Sequence, residues 1–343
     1  MSLFYKTFIR PLFFNLDAES AHELVCRNLA RLEKSCLAKR LICNTLNSGN
    51  SPVDLFGLSF PNHLGLAAGL DKDGRFPGIS SALGFGHIEV GTVTPKPQPG
   101  NDKPRLFRYP KDEALINRMG FNNDGAKKLC ERLNLKLYKI SSGLCTNTPL
   151  LEQIKRTGKP IIISTGMANE NEIKNILKIT ANYSNNNICL LHAVSLYPAP
   201  LNNINLYSIK YIEEKFNVIV GYSDHCLGWE ACKIAVASGA KVIEKHFTLD
   251  ASRKGFDHKI SLRPNDFKKM VKEIRDIERT LGKFTKQPHK EEIMHKSSIV
   301  RYCVASKVIL KGDKFDLRNV HFKRIEKNKS GIKAYDFQNI KLK

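Results

Sequence analysis

Apolar residues in the first forty-five positions recur at helical intervals. Leu24, Val25, Leu29 and Leu32 follow Asp17 and Ser20, polar residues suited to opening a helix, so residues 1–45 read as helices. Val53 to Phe60 then alternates around Gly57 as a short hairpin does. A continuous apolar run, Leu64 to Gly69, a helical stretch from Phe76 to Leu83 and a second run from Ile88 to Thr92 set up the strand-helix-strand rhythm of a parallel sheet. The segment Thr94 to Pro104 is too long and too rich in Pro, Gly and Asn to be a simple connector.

The rhythm quickens beyond Gly125. Strands are predicted at Leu137–Ile140, Pro160–Ile163, Ile188–His192, Val218–Gly221 and Val242–Glu244. Helices fall at Thr148–Arg156, Asn171–Ala181, Ser208–Phe216 and Trp229–Ser238. A long helix from Pro264 to Leu281 ends at Gly282, and a linker rich in Lys, Pro and His runs to about Lys296. Lys307 to Asp313 and Val320 to Phe322 read as strands of a small β-rich tail domain.

Charge narrows the class of partner. The formal net charge is +22, of which residues 1–127 hold +4 and the remainder +18. The lysines are scattered along helical stretches (Lys268, Lys269, Lys272) without interleaved aromatics, which argues for a solvated surface and anionic small substrates rather than nucleic acid. The nine cysteines form no C-x-x-C pair, so neither a disulfide framework nor a zinc ribbon is expected, and a reducing cytosol fits. No apolar run is long enough to span a bilayer, and the N-terminus lacks the pattern of an export signal. Phe4, Phe8, Ile9, Leu12, Phe13, Phe14 and Leu16 beside Lys6 and Arg10 suit either a helix packed on its own core or peripheral contact with the inner face of a membrane.

Two sets of motifs carry candidate chemistry. The strings Leu66 to Gly74, Gly91 to Pro95, Pro97 to Arg105 and Ile116 to Asn123 together resemble class 2 (quinone) dihydroorotate dehydrogenase over about residues 1–126. That resemblance implies the first strands of a (β/α)₈ barrel. It also implies flavin mononucleotide (FMN) contacts by Ala68, Gly69, Leu70, Asp71, Lys72 and Thr92, and substrate contacts by Lys72, Asn117, Arg118, Met119, Gly120 and Phe121. Small residues let backbone approach a flat ring, and a lysine can stabilise an anionic reduced flavin. The serine base and the glycine-rich phosphate loops of that family lie on later strands, which here are of another kind.

From Tyr138–Gly143 through Ser164–Met167, Tyr197–Pro200, Gly221–His225, Glu244–Asp250 and Gly255–His258, the chain resembles the N-acetylneuraminate (sialic acid) synthase family over about residues 131–340. His225 and His246 end successive strands 21 residues apart, one helix-plus-strand step, so both rings should face one mouth. A single histidine at a strand end is more often a hydrogen-bonded core residue. Two, inside Ser-Asp-His and Glu-Lys-His-Phe, suit a divalent ion, and the resemblance implies Mn²⁺ or Mg²⁺. The resemblance further implies phosphoenolpyruvate contacts by Lys139, Ser142, Ser164 and Ser223, with an ammonium and hydroxyls meeting phosphate and carboxylate oxygens. Tyr197 and Asp257 would contact an N-acetylated sugar, and Arg324 would reach into the other subunit of a homodimer. Leu144 stands where that family has a glutamate and Ser195 where it often has an asparagine, so sugar selectivity should differ.

The combined expectation is an α/β fold: a TIM-type (β/α) barrel assembled from two parent barrels, with N-terminal helices and a small β-rich antifreeze-like (SAF) domain. Its parts are residues 1–45 (helical), 46–126 (dehydrogenase-like strands), 131–283 (synthase-like strands) and 297–343 (a truncated SAF domain). Two strands from the first parent and five from the second make seven, one short of closure. The expected activity is an impaired synthase-like condensation of phosphoenolpyruvate with N-acetylmannosamine or a diacetamido analogue. The alternatives are an FMN-dependent dihydroorotate dehydrogenase of pyrimidine biosynthesis and an inactive chimeric product.

Overall fold

The computed structural model describes residues 5–46, 51–109, 114–180, 187–252, 257–314, 316–325 and 331–339, in two units, residues 1–281 and 282–343. The first unit opens with a π-helical turn (Tyr5–Ile9) that runs into three α-helices, α1 (Arg10–Phe14), α2 (Ala18–Glu33) and α3 (Cys36–Thr45). Asp17 caps α2 by accepting from the amides of Glu19 and Ser20, the role its place before the apolar stretch predicts. Phe8, Leu12, Phe14 and Leu16 are exposed, so α1 does not bury its apolar side chains in a core. Among the described residues no helix is long and apolar enough to cross a membrane.

Strands β1 (Val53–Leu55) and β2 (Leu58–Phe60) form the expected hairpin, joined by Phe56 and Gly57. Both turn residues have positive φ (58° and 68°), the geometry that matches the twist of a two-residue hairpin. Glycine adopts it freely; phenylalanine does so at a cost of about 1 kcal/mol or more. The offset is burial: Phe56, 6% exposed, packs with Leu137, Ile162, Cys189, Leu191, Ile219 and Val242, most of them near the N-terminal ends of the sheet strands described next. The hairpin therefore plugs the bottom of the sheet.

Then follow β3 (Gly65–Leu66), α4 (Pro77–Ala82) and β4 (His87–Ile88), with β3 and β4 parallel, and the antiparallel pair β5 (Leu106–Tyr109) and β6 (Ala114–Asn117). Patterning overestimates β3 and β4, because Gly69 and Gly91 turn the chain away with φ of 125° and 126°. It misses β5–β6, which lies past a Pro-rich stretch that reads as loop. After α5 (Ala126–Arg132) come β7 (Tyr138–Ile140), α6 (Thr148–Lys155), β8 (Ile161–Ser164), α7 (Glu170–Ile179), β9 (Ile188–Ala193), α8 (Tyr207–Phe216), β10 (Ile219–Asp224), α9 (Glu230–Ala237), β11 (Val242–Lys245) and α10 (Pro264–Leu281). Strands β7 to β11 form one parallel sheet in sequential order, as the periodicity predicts.

That sheet is strongly curled. At the usual spacing of about 4.8 Å, the outer strands of a flat five-stranded sheet lie about 19 Å apart. Here Lys139 on β7 reaches Glu244 on β11 at 2.5 Å. The helix-facing side carries the main core, including Ile140, Ile161, Ile163, Ile188, Leu190, Val220 and Tyr222, packed on Leu151, Ile176 and Ile209. The expected seven-stranded barrel is not formed: among the described residues β3–β4 is a separate two-stranded sheet, leaving a half-barrel.

The second unit contains α11 (Lys290–Ile299) and an antiparallel pair, β12 (Tyr302–Ala305) and β13 (Val320–Lys323). Two expectations are corrected here. The Lys-rich linker contains α11, whose Glu291 and Glu292 sit favourably in its first turn. Lys307 to Asp313 is not a strand, and Val308 and Leu310 are exposed rather than paired over a core.

Candidate functional site

Strand alternation and parallel register build the site. Ser223 pairs with Glu244 and Asp224 with Lys245 across β10 and β11. Successive side chains point to opposite faces, so Ser223, His225, Glu244 and His246 face the concave side, above the layer closed by Phe56. Asp224 and Lys245 face outward toward α9. There the Asp224 carboxylate accepts from Lys245 Nζ (2.8 Å), the Cys226 amide (2.8 Å), the Tyr222 hydroxyl (3.1 Å) and Cys232 Sγ (3.1 Å). Burial pushes its carboxyl up, but Lys245 and the other donors prevail and hold it below the usual range. This pair fixes the strand ends from which the two histidines project.

The His225 and His246 ring centroids lie 5.5 Å apart, so the step of 21 residues does bring them to one mouth. His225 Nδ1 lies 2.7 Å from the Val194 carbonyl. A carbonyl only accepts, so Nδ1 donates to it and the hydrogen bond leaves Nε2 as the nitrogen available to a metal. Burial lowers the His246 pKa, with Asp257 opposing, which favours the neutral ring. Tyr197 packs against both, 4.2 Å from His225 and 6.2 Å from His246. Burial raises its hydroxyl pKa, and the charges of Asp257 and Glu244 add to this. Among the described residues no group of three His, Cys, Asp or Glu side chains is placed to hold a metal ion.

Beside this cluster, Lys139 Nζ lies 2.5 Å from Glu244 and 3.5 Å from Glu89, which follows β4. Burial would lower the Lys139 pKa, but the two carboxylates raise it. Burial raises Glu89, with Glu244 adding and Lys139 opposing. Burial also acts against Glu244, yet Lys139 and the Ser223 hydroxyl, which donates at 2.9 Å, hold it low. Ser164 is buried at the end of β8. Ser142 Oγ accepts from the Gly166 amide at 3.1 Å, and a Cβ at Gly166 would sit 2.7 Å from that oxygen and 2.6 Å from Ser195 Oγ. The glycine is what allows the two hydroxyls to close over it. Asp257 is exposed after the undescribed residues 253–256, which include Gly255 and Phe256. Arg324 is exposed in the second unit.

The N-terminal candidates make a separate cluster. Lys72 donates to Asn122 Oδ1 (2.6 Å) and the Gly120 carbonyl (3.3 Å), and Asn117 accepts from the Met119 amide (2.9 Å). Arg118 lies over the Phe107 ring and donates to the Pro104 carbonyl; Met119 is buried and Phe121 exposed. The Asp71 carboxylate accepts from the Arg75 and Phe76 amides, a structural task, while Ala68 is half-buried and Gly69, Leu70 and Thr92 are exposed. Neither Lys72 nor Arg118 is hydrogen-bonded or ion-paired to the Lys139 group. The residue from this third that does join it, Glu89, was absent from the sequence candidates. The sequence places it second in the predicted strand Ile88 to Thr92; only the early end of β4 at Ile88 puts it at a strand end, where barrel sites lie.

Comparison with known proteins finds both families. A sequence model described as "NeuB family" matches residues 101–286. N,N'-diacetyllegionaminic acid synthase of Campylobacter jejuni is 41% identical over 211 residues, covering 61% of this chain and 63% of that protein. Dihydroorotate dehydrogenase (quinone) of Nitrosomonas eutropha is 51% identical over 153 residues, covering 43% of each chain. The crystal structure of N-acetylneuraminic acid synthetase from Leptospira borgpetersenii aligns with 35% identity over 50% of this chain and 61% of that one, at a TM-score of 0.46. The chain spans less than two thirds of the length of these relatives.

Proposed function

This chain belongs to the NeuB family, and on that premise we propose that its mouth performs an impaired sialic acid synthase-like condensation of phosphoenolpyruvate with an open-chain N-acetylated sugar, N-acetylmannosamine or a diacetamido analogue. The observation carrying this reading is the convergence of Lys139, Ser223, His225, His246 and Tyr197 at the strand ends of the half-barrel. In the reaction a carbon–carbon bond forms between the enol methylene and the sugar aldehyde, and phosphate leaves as water supplies oxygen. Lys139, Ser142, Ser164 and Ser223 would bind the phosphate and carboxylate oxygens. Tyr197 and Asp257 would orient the sugar, with Arg324 of the second subunit in a homodimer. His225 Nε2 and His246 suit the imidazole share of a Mn²⁺ or Mg²⁺ site, with other positions left to water and substrate, and such an ion would polarise the aldehyde. The impairment is inferred because the first part of the barrel resembles another family and a separate two-stranded sheet stands where continuous strands would carry further substrate contacts.

Flavin fits less well. In barrels the phosphate is usually held by loops after the seventh and eighth strands at a helix N-terminus. Here the strands that would carry those loops lie in the part of the chain that matches the NeuB family and not in the dehydrogenase-like part. Ring contacts alone would give FMN only modest affinity.

The test is phosphate release from phosphoenolpyruvate with Mn²⁺ and each sugar. The expected rate is well below the ~10 s⁻¹ typical of enzymes, absent without sugar and abolished in His225→Ala. Release that ignores sugar and His225, or none above background, overturns the proposed activity.

A further inference from the structure

We propose that Glu89 is a specificity-determining residue of this mouth: an internal carboxylate that competes with an anionic substrate for Lys139. The inference rests on the synthase-like reading and adds to it a residue from outside the synthase-like strands. Glu89 is fixed by its own backbone, whose amide donates to the Leu66 carbonyl at 2.8 Å and continues the β3–β4 pairing. Its carboxylate stands 3.5 Å from Lys139 Nζ, and Glu244 holds the same ammonium at 2.5 Å. Glu244 is integral to the frame, since it is paired in register with Ser223 and accepts from that hydroxyl. Glu89 reaches the ammonium from a strand pair that is not part of the five-stranded sheet.

Charge makes the consequence specific. Two carboxylates share one ammonium here, so with both ionised the group is net negative. Phosphoenolpyruvate brings a carboxylate and a phosphate to the same cation and must sit beside Glu89 to use it. Like charges in a half-buried site are costly, so the substrate binds only as Glu89 takes up a proton or swings away. Burial already pushes the Glu89 carboxyl up, in the direction that helps. Glu89 thus weakens dianionic and trianionic ligands and favours less charged ones, which is a restriction on substrate class and not a loss of the site.

The experiment is calorimetric titration of phosphoenolpyruvate into the full chain and into Glu89→Gln, which keeps shape and removes charge. About tenfold or greater tightening in E89Q is expected. Equal or weaker binding in E89Q, with measurable binding to the unsubstituted chain, overturns this inference and leaves the synthase-like reading intact. Millimolar phosphoenolpyruvate failing to bind either protein overturns both. If circular dichroism shows E89Q unfolded, carboxyl ¹³C NMR of the glutamate-labelled unsubstituted chain serves instead. One carboxyl resonance that shifts as phosphoenolpyruvate is added, by protonation or by leaving Lys139, supports the competition, and no movement overturns it.

Discussion

The buried pair Asp224–Lys245 offers the sharpest energetic test of how the two histidines are held. Its side chains are 0% and 1% exposed and 2.8 Å apart. Removing one partner of such a pair costs about 3–5 kcal/mol, because the other charge stays buried and uncompensated. The contacts rank the two halves. Lys245→Met leaves the Asp224 carboxylate with three donors, Tyr222, Cys226 and Cys232, so it falls near the lower end, about 3 kcal/mol. Asp224→Leu leaves the Lys245 ammonium, among the described residues, with the Cys226 carbonyl at 2.6 Å, and falls near the upper end, about 5 kcal/mol. The double variant buries no charge and should lie within about 2 kcal/mol of the parent, far from the ~8 kcal/mol of simple addition. Urea unfolding can be followed through Trp229, the one tryptophan, which caps the helix that carries Cys232. The pH dependence has a definite sign. A carboxyl whose folded pKa is depressed contributes stability above its unfolded value of about 3.9, and that contribution is lost as pH falls through the folded value. The gap between parent and Asp224→Leu should therefore persist at pH 5–8 and close in stronger acid. Single variants costing under ~1 kcal/mol, or a double variant that shows full additivity, would refute the argument.

Further outcomes are expected elsewhere. Phe56→Ala should destabilise by about 3 kcal/mol in the same unfolding assay, the cavity at the bottom of the sheet outweighing relief of its positive φ. Arg105, buried against Glu19 at 2.7 Å and donating to the Asn101 carbonyl, should cost about 3–5 kcal/mol when changed to Ala; because Arg105 first of all holds the Glu19 carboxyl below its usual range, that loss should shrink as pH falls below about 4. Calorimetry should show about one Mn²⁺ per chain, lost in His225→Ala/His246→Ala; undiminished affinity there removes the metal assignment. The protein should purify colourless, and stoichiometric yellow flavin would revive the dehydrogenase reading.

Periodicity was enough to place nearly every helix and strand of residues 138–281, because each strand alternates between a core of helices and a concave interior, and each helix shows one apolar face. The same local logic put His225 and His246 at one mouth, since a single helix-plus-strand step fixes their relative position. It could not place Glu89. Nothing in the order of residues says that a strand pair outside the main sheet delivers its carboxylate to the lysine of β7. That contact depends on how far the five strands curl and where β3–β4 comes to rest. Nor could it show Phe56 closing the bottom of the sheet, because a bulky residue in a two-residue turn reads locally as a misfit and is explained only by what it buries. Sequence thus determined the elements and the chemical types at their ends. Tertiary structure decided that the barrel stays half-formed, that Lys139 is shared by two carboxylates, and that Lys72 and Arg118 are engaged within their own third.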